Sequence, residues 1–597
     1  MQDWQEQYIR NVREIADIRP LFNAEETDFE AWYARHRKKE ARLKALREEN
    51  NSLLSTRLFA LLDTLHGASE EDIRDLEAFS DQLMDWKNNL DCGVYVAIHD
   101  ALLRLYLIRR NRDAIIRELY KLGMGLYYQN RSVLGIESRE VESMHFLNEM
   151  VFTEAASYLR YFETIDNDET KGYILRALAN ISICSNNFKR RVGTSIKFIR
   201  IATSPAYRAL APNLPWDTYL RRAHQQLSTC RSQLSDKEFT KAEIAAVMDS
   251  CYEVFKPEAQ SANPSIRWVW PYYDMEYACG YVDLATTVER LENLIRSAPE
   301  DDFSISGLYG TIQLPIILGR MLKKNEKLGK DPDHIEFLAF AYRRMMKALF
   351  SVPPNRWDDN FVYLLTLVVS DFYEVGGLIS YREVTARLMQ RFAGRLYLRS
   401  LTAGELLACL CGHIMRREPK YFENLPVFRN ITDEGEREKT LLQFARDCGL
   451  YYDFGLFKMN MERMRMTRSL FESEDAMYRL HTVSGYEDLR QRESTRPFAD
   501  IARGHHSSYT GKTDTSGYVR LESPYRQMTD LTALVADFLD QENADLRIWA
   551  KAVAGDRRFS PKAAAYLMED EILDDLARIL STADRDSCRA AFEYMQH

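Results

Sequence analysis

Glycine loops that cradle phosphate are missing from this chain. It has no Walker-type loop, no Gly-x-Gly-x-x-Gly fingerprint and no Gly-x-Ser-x-Gly elbow, which sets aside P-loop NTPases, dinucleotide enzymes and α/β-hydrolases. Glycine and proline are sparse, 25 and 17 in 597 residues, and period-two runs bounded by Asn-Gly or Asp-Gly do not occur, so β-hairpins have no signal. The nine cysteines are odd in number and scattered (92, 184, 230, 251, 279, 409, 411, 448, 588), the usage of reduced, buried thiols and not of a disulfide frame. Cys409 and Cys411 lack a partner Cys or His at zinc-ribbon spacing and read as core. The longest apolar runs, FVYLLTLVVSDF (Phe361–Phe372) and ELLACLCGHIM (Glu405–Met415), are too short to span a bilayer. The N-terminus, MQDWQEQYIRNVREIADIRP, has neither the apolar stretch nor the cleavage site of a signal peptide. A cytoplasmic protein without a membrane span is expected. A net charge of −9 argues against an extended nucleic-acid surface, and RHRKK (Arg35–Lys39) and KRR (Lys189–Arg191) read as solvated helix faces.

What is present is helical periodicity almost everywhere, so the fold class is all-α. The length implies roughly three to five cores. Residues 1–66 form a helical, coiled-coil-like segment. Within it RLKALREENNSLL puts Leu43, Leu46, Asn50 and Leu53 at a, d, a and d positions, with Asn at a register-setting place. So short a seam fits equally a homodimer or packing onto the chain's own helices. Residues 67–400 alternate amphipathic helices with polar turns, either an irregular helical-repeat array loosely similar to tetratricopeptide hairpins or an irregular bundle. Breaks fall at 211–217, 256–265, 297–307 and 351–359, each collecting Pro, Asn, Asp or Ser. Residues 401–597 form a third region.

Three of only 11 histidines fall in one 26-residue window of it, His481, His505 and His506, bracketed by Asp453 in YYDFG and Asp537 in VADFLD. Imidazole and carboxylate are the ligand set of first-row divalent metals. Adjacent helical residues point ~100° apart, so a His-His pair suits a helix end, or a site where each ring addresses a different ion.

The order of these blocks resembles the HD-GYP family, helical metal-dependent phosphodiesterases of bacterial cyclic di-GMP signalling. CGLYYDFGLFKM (Cys448–Met459) is similar to the family's His-Asp helix and LHTVSGYEDL (Leu480–Leu489) to its His-Pro-x-x-Gly helix. GHHSSYTGKTDTSGYV looks like the His-His-Glu to Gly-Tyr-Pro segment, VADFLDQ like the Ala-Asp-x-x-Asp helix, and DRRFSPKAAAYL like the following Phe-Asp-Pro segment. The resemblance implies Asp453, His481, His505, His506 and Asp537 as remnant metal ligands, and Tyr452, Asp514, Ser516, Gly517 and Tyr518 as ligand-binding positions. The departures are pointed. Tyr452 stands where the family has His, Leu456 replaces Lys, Ser507 replaces Glu, Val519 replaces Pro, and KYFEN offers no upstream ligand His. His413 reads as core.

The resemblance implies an HD-type helical domain holding one divalent transition metal (Mn, Fe or Zn) or none. Family chemistry clamps attacking and leaving oxygens between metals, and losing two imidazoles removes the means to hold a second. The expectation is therefore a regulatory protein that binds a cyclic dinucleotide, or a protein partner through its helical region, without turnover. An active metal-dependent phosphodiesterase and a helical interaction scaffold are the alternatives.

Overall fold

A computed structural model describes residues 1–21, 27–84, 89–130, 139–231, 234, 237–354, 357, 359–375, 378–458, 465–510, 518, 522–541 and 544–596. Among them the fold is all-α. The only extended pairings are the isolated bridges Met84↔Asn89 and Val375↔Ile379. None of the nine cysteines is in a disulfide, and no described helix is long and apolar enough to cross a membrane.

The chain divides into two compact units. One comprises Met1–Arg10 with Ser52–Phe372, the other Asn11–Asn51 with Tyr373–His597. The second division thus falls at 372/373, ahead of the residue 400 suggested by the sequence, and the N-terminal segment is shared between units.

In the first unit successive helices pack chiefly on the helix before and the helix after. Their starts are set by side-chain caps that satisfy orphan amides. Asp91 accepts from Val94 N at 3.0 Å to begin Cys92–Arg109, and Thr240 with Glu243 forms a capping box for Lys241–Ala259. The sequence breaks coincide with helix ends at Leu210, Ala259, Ser297 and Ser351.

One polar pair is fully buried in this unit. His99 Nδ1 lies 2.5 Å from Glu118 Oε2, and Arg117 Nε donates to the other carboxylate oxygen at 2.7 Å. Burial holds the His99 imidazole below its ordinary value. Burial opposes the Glu118 charge, yet His99 and Arg117 hold that carboxyl below its own. Both folded values lie under their unfolded ones, so the folded state binds fewer protons and loses stability as pH falls. The loss begins near ~6.5 for the imidazole and continues near ~4.3 for the carboxyl. Calorimetry should therefore give a lower melting temperature at pH 5.5 than at pH 7.5; a rise would contradict this account of the pair.

The second unit carries the site. It contains the end of α1 (Asp3–Ile18) and nearly all of α2 (Phe29–Leu53), followed by α3 (Tyr381–Phe392), α4 (Gly394–Arg417), α5 (Glu434–Tyr451), α6 (Phe454–Lys458), α7 (Glu472–Tyr478), α8 (His481–Leu489), α9 (Arg496–Gly504), α10 (Arg526–Asp540), α11 (Leu546–Ala554) and the C-terminal α12 (Asp570–Gln596). The heptad-like seam of α2 is used inside the chain. Leu43 and Leu46 pack with Ile15, Ile18 and Met466. Asn50 is buried and satisfied, donating to Thr467 O at 2.9 Å and accepting from Asn11 Nδ2 at 3.0 Å. A buried amide so paired costs little, whereas unpaired it would cost about 1–3 kcal/mol.

Helices α4 and α5 cross at Gly404 and Gly449, where a Cβ on Gly449 would overlap the Gly404 backbone. That crossing lets α5 run to the junction that presents Tyr452 and Asp453.

Candidate metal centre

Each candidate ligand sits at a helix boundary. Asp453 occupies the break between α5 and α6, His481 opens α8, and His505 and His506 follow directly on the last turn of α9. Such places free a side chain from the constraint that neighbouring helical residues diverge. They also leave end carbonyls available: His505 Nδ1 donates to Ala502 O at 3.0 Å and His481 Nδ1 to Tyr478 O at 2.5 Å.

Two glycines bring these boundaries together. A Cβ built on Gly455 would overlap the carbonyl oxygen of His481 and come within 2.8 Å of Gly485 N. Only glycine lets α6 lie directly on α8, and that contact sets Asp453 beside His481.

The donors converge. His481 Nε2 is 3.2 Å from His505 Nε2, and Asp453 Oδ1 lies 3.3 Å from the first and 3.2 Å from the second. Ligand atoms at ~2.0–2.1 Å from a tetrahedral ion are ~3.3–3.4 Å from each other, so these spacings match such a shell. His506 completes the group, with all four donor atoms within 4.8 Å of one another. Its ring centroid is 4.2 Å from that of His505, and Tyr518 stacks on its other side at 5.0 Å.

The electrostatics favour a cation. With Nδ1 of His481 and His505 donating to carbonyls, both rings turn Nε2 toward Asp453 Oδ1. A proton on one Nε2 serves only one of the three contacts, while an ion at their centre serves all. Burial penalises the Asp453 charge, but the two imidazoles and Arg399 hold its carboxyl well below the usual range. Burial, then the charges of His505 and His481, keep His506 well below the ordinary imidazole value and hence neutral. Asp453 Oδ2 is buried without a hydrogen bond, with Arg399 Nη2 at 3.6 Å.

Four of the five sequence-predicted ligands therefore meet. Asp537 is not among them: its Oδ2 accepts from Trp549 Nε1 at 2.8 Å and from Gln541 Nε2 at 3.0 Å. From α10 it is Asp540, one turn on, that pairs with Arg399, the arginine beside Asp453, at 2.5 Å. Tyr452 lies edge-on to His505 at 5.1 Å, with a buried hydroxyl that lacks a hydrogen bond, and burial pushes its phenol well above the ordinary value. It walls the site as a neutral phenol. Asp514, Ser516 and Gly517 lie outside the described residues.

Sequence reasoning missed Arg399 and the cleft beside it. A cavity of about 790 Å³ is lined by Arg37, Lys44 and Arg47 of α2 and by Arg395, Arg399 and Arg465, against Glu40 and Glu48. It abuts the metal centre through two side chains. Arg399 reaches Asp453, and Tyr478, which also lines the cleft, packs on His481 with ring centroids 4.9 Å apart. The RHRKK run was the one visible signal, since Arg37 belongs to it.

Compared with family models, with curated proteins and with solved structures, the chain matches none.

Proposed function

We propose that this chain is a regulatory binding protein whose C-terminal unit is a degenerate HD-GYP-like domain. In this reading it holds one divalent transition metal, with zinc, iron or manganese compatible with the donors, and takes a cyclic dinucleotide in the basic cleft without hydrolysing it. The observation that carries the reading is the four-donor cluster of Asp453, His481, His505 and His506.

Four protein donors fill a tetrahedral shell, whereas catalytic sites keep a position open for water or substrate. A two-metal clamp needs further carboxylates to hold a partner ion about 3.5–4 Å away, and Asp537 is engaged with Trp549 instead. Asp453, His481 and His505 are all within 1% of complete burial, which leaves the partly exposed His506 as the side of the cluster toward solvent. The cleft supports the ligand class. Its volume falls in the ~300–1,000 Å³ range of small-molecule sites, and six cationic side chains against two carboxylates suit phosphate groups.

Titration calorimetry with cyclic di-GMP tests this. Wild-type protein should bind it and release no linear product when manganese, iron or zinc is added. Lys44→Glu with Arg47→Glu should weaken binding at least ten-fold, since charged hydrogen bonds contribute about 1.5–3 kcal/mol each. Unchanged affinity in that variant would remove the cleft from the account. Turnover that disappears in Asp453→Ala would replace the regulatory reading with a hydrolase.

A further inference from the structure

We propose that His36, Asp584 and Cys588 form a second metal site, thiolate-containing and suited to zinc, which pins α2 to the C-terminal helix. Donor atoms of the three residues lie within 4.8 Å of one another. Asp584 and Cys588 are four residues apart on α12 and so share one face, and His36 faces them from α2 within the same unit.

The imidazole is built in rather than free. His36 is 95% buried, and Trp32 stacks on its ring at 5.4 Å with an 8° interplanar angle. Its Nδ1 is buried without a hydrogen bond, with Glu40 Oε1 at 3.7 Å. A buried ring nitrogen left unpaired is costly, and an ion is one of the few partners that removes that cost. Burial holds this imidazole below its ordinary value, which keeps it in the neutral, ligating form.

Cys588 is fully buried, and burial pushes its thiol up to about 12, so without a metal it is inert. Coordination reverses this: the ion binds the thiolate, and the thiol proton leaves to solvent. The carboxylate already has its outer partners. Tyr33 donates to Asp584 Oδ2 at 2.5 Å and Arg37 Nη1 to the same oxygen at 3.1 Å, leaving Oδ1 for the ion. One nitrogen, one sulfur and one oxygen donor suit zinc, and the exposed rim at Asp584 leaves a fourth position for water.

Cobalt(II) reports on this site separately from the first centre, because thiolate ligation gives a near-ultraviolet charge-transfer band and the His/Asp centre contains no sulfur. Full-length protein freed of metal and titrated with cobalt should develop that band. Cys588→Ser should abolish it, and Asp584→Asn, a rim change that spares the core, should weaken cobalt binding at least ten-fold. Cys409→Ser should leave the band intact, although Cys409, His413 and Asp575 are also grouped. Absence of the band in wild-type protein, its survival in Cys588→Ser, or its loss in Cys409→Ser instead would overturn the assignment.

Discussion

Replacing His505 by Ala should release the ion proposed for the Asp453 centre. The substitution removes one of four donors and leaves Asp453 Oδ1 and His481 Nε2 without their common neighbour. Loss of outer-shell partners alone costs about 10–100-fold in metal affinity, so loss of a ligand should exceed ~100-fold. In a Cys588→Ser background, which isolates this centre, chelator competition should show that weakening. The melting temperature in saturating metal should fall too, because an ion that binds only the folded state adds stability by mass action. Equal affinity in His505→Ala would remove the imidazole from the shell.

Gly455→Ala should be the most damaging single change available near the site. The new methyl group meets backbone on both sides, His481 O and Gly485 N, so no rotamer change relieves it. Helices α6 and α8 must part, and they carry with them the residues that place Asp453 and His481. Overpacking of this kind costs up to ~3 kcal/mol in a deformable core, and a backbone clash lies at or above that level. Denaturant unfolding should show the loss together with weakened metal binding. Gly193→Ala is the matching control. It sits exposed in the helix Phe188–Thr203, and its Cβ meets nothing within 4 Å. There the same substitution should stabilise by about 0.5–1 kcal/mol, because alanine favours the helix.

These two glycines show how unevenly the structure was written into the sequence. Helical periodicity is local, so the all-α class was legible from the chain, as were four breaks that fall at the helix ends Leu210, Ala259, Ser297 and Ser351. Asp453, His481, His505 and His506 were legible as a group because imidazole and carboxylate carry metal-binding chemistry in the residue type itself. Asp537 was a different matter. It and Asp540 lie one turn apart on α10, and the pattern cannot say which acid meets Arg399 and which Trp549, since packing sets the rotation of the helix. Asn50 was readable as a buried polar position, but its partners, Asn11 and Thr467, are distant in the chain. The cleft was illegible for the same reason, drawing its charges from residues 37–47 and 395–465. In RHRKK, Arg35, Arg37 and Lys38 are exposed, as a solvated face should be, although Arg37 also lines the cleft and His36 is buried. The division at 372/373 was also hidden, because residues 11–51 return to a unit built mostly from the far end of the chain.

The central claim is a closed, one-ion centre, and anomalous diffraction from crystals grown with metal tests it most directly. The account predicts one anomalous peak enclosed by Asp453 Oδ1, His481 Nε2, His505 Nε2 and a ring nitrogen of His506, with no water in the shell. Two peaks about 3.5–4 Å apart with an oxygen between them, or no peak among these four side chains, would contradict it.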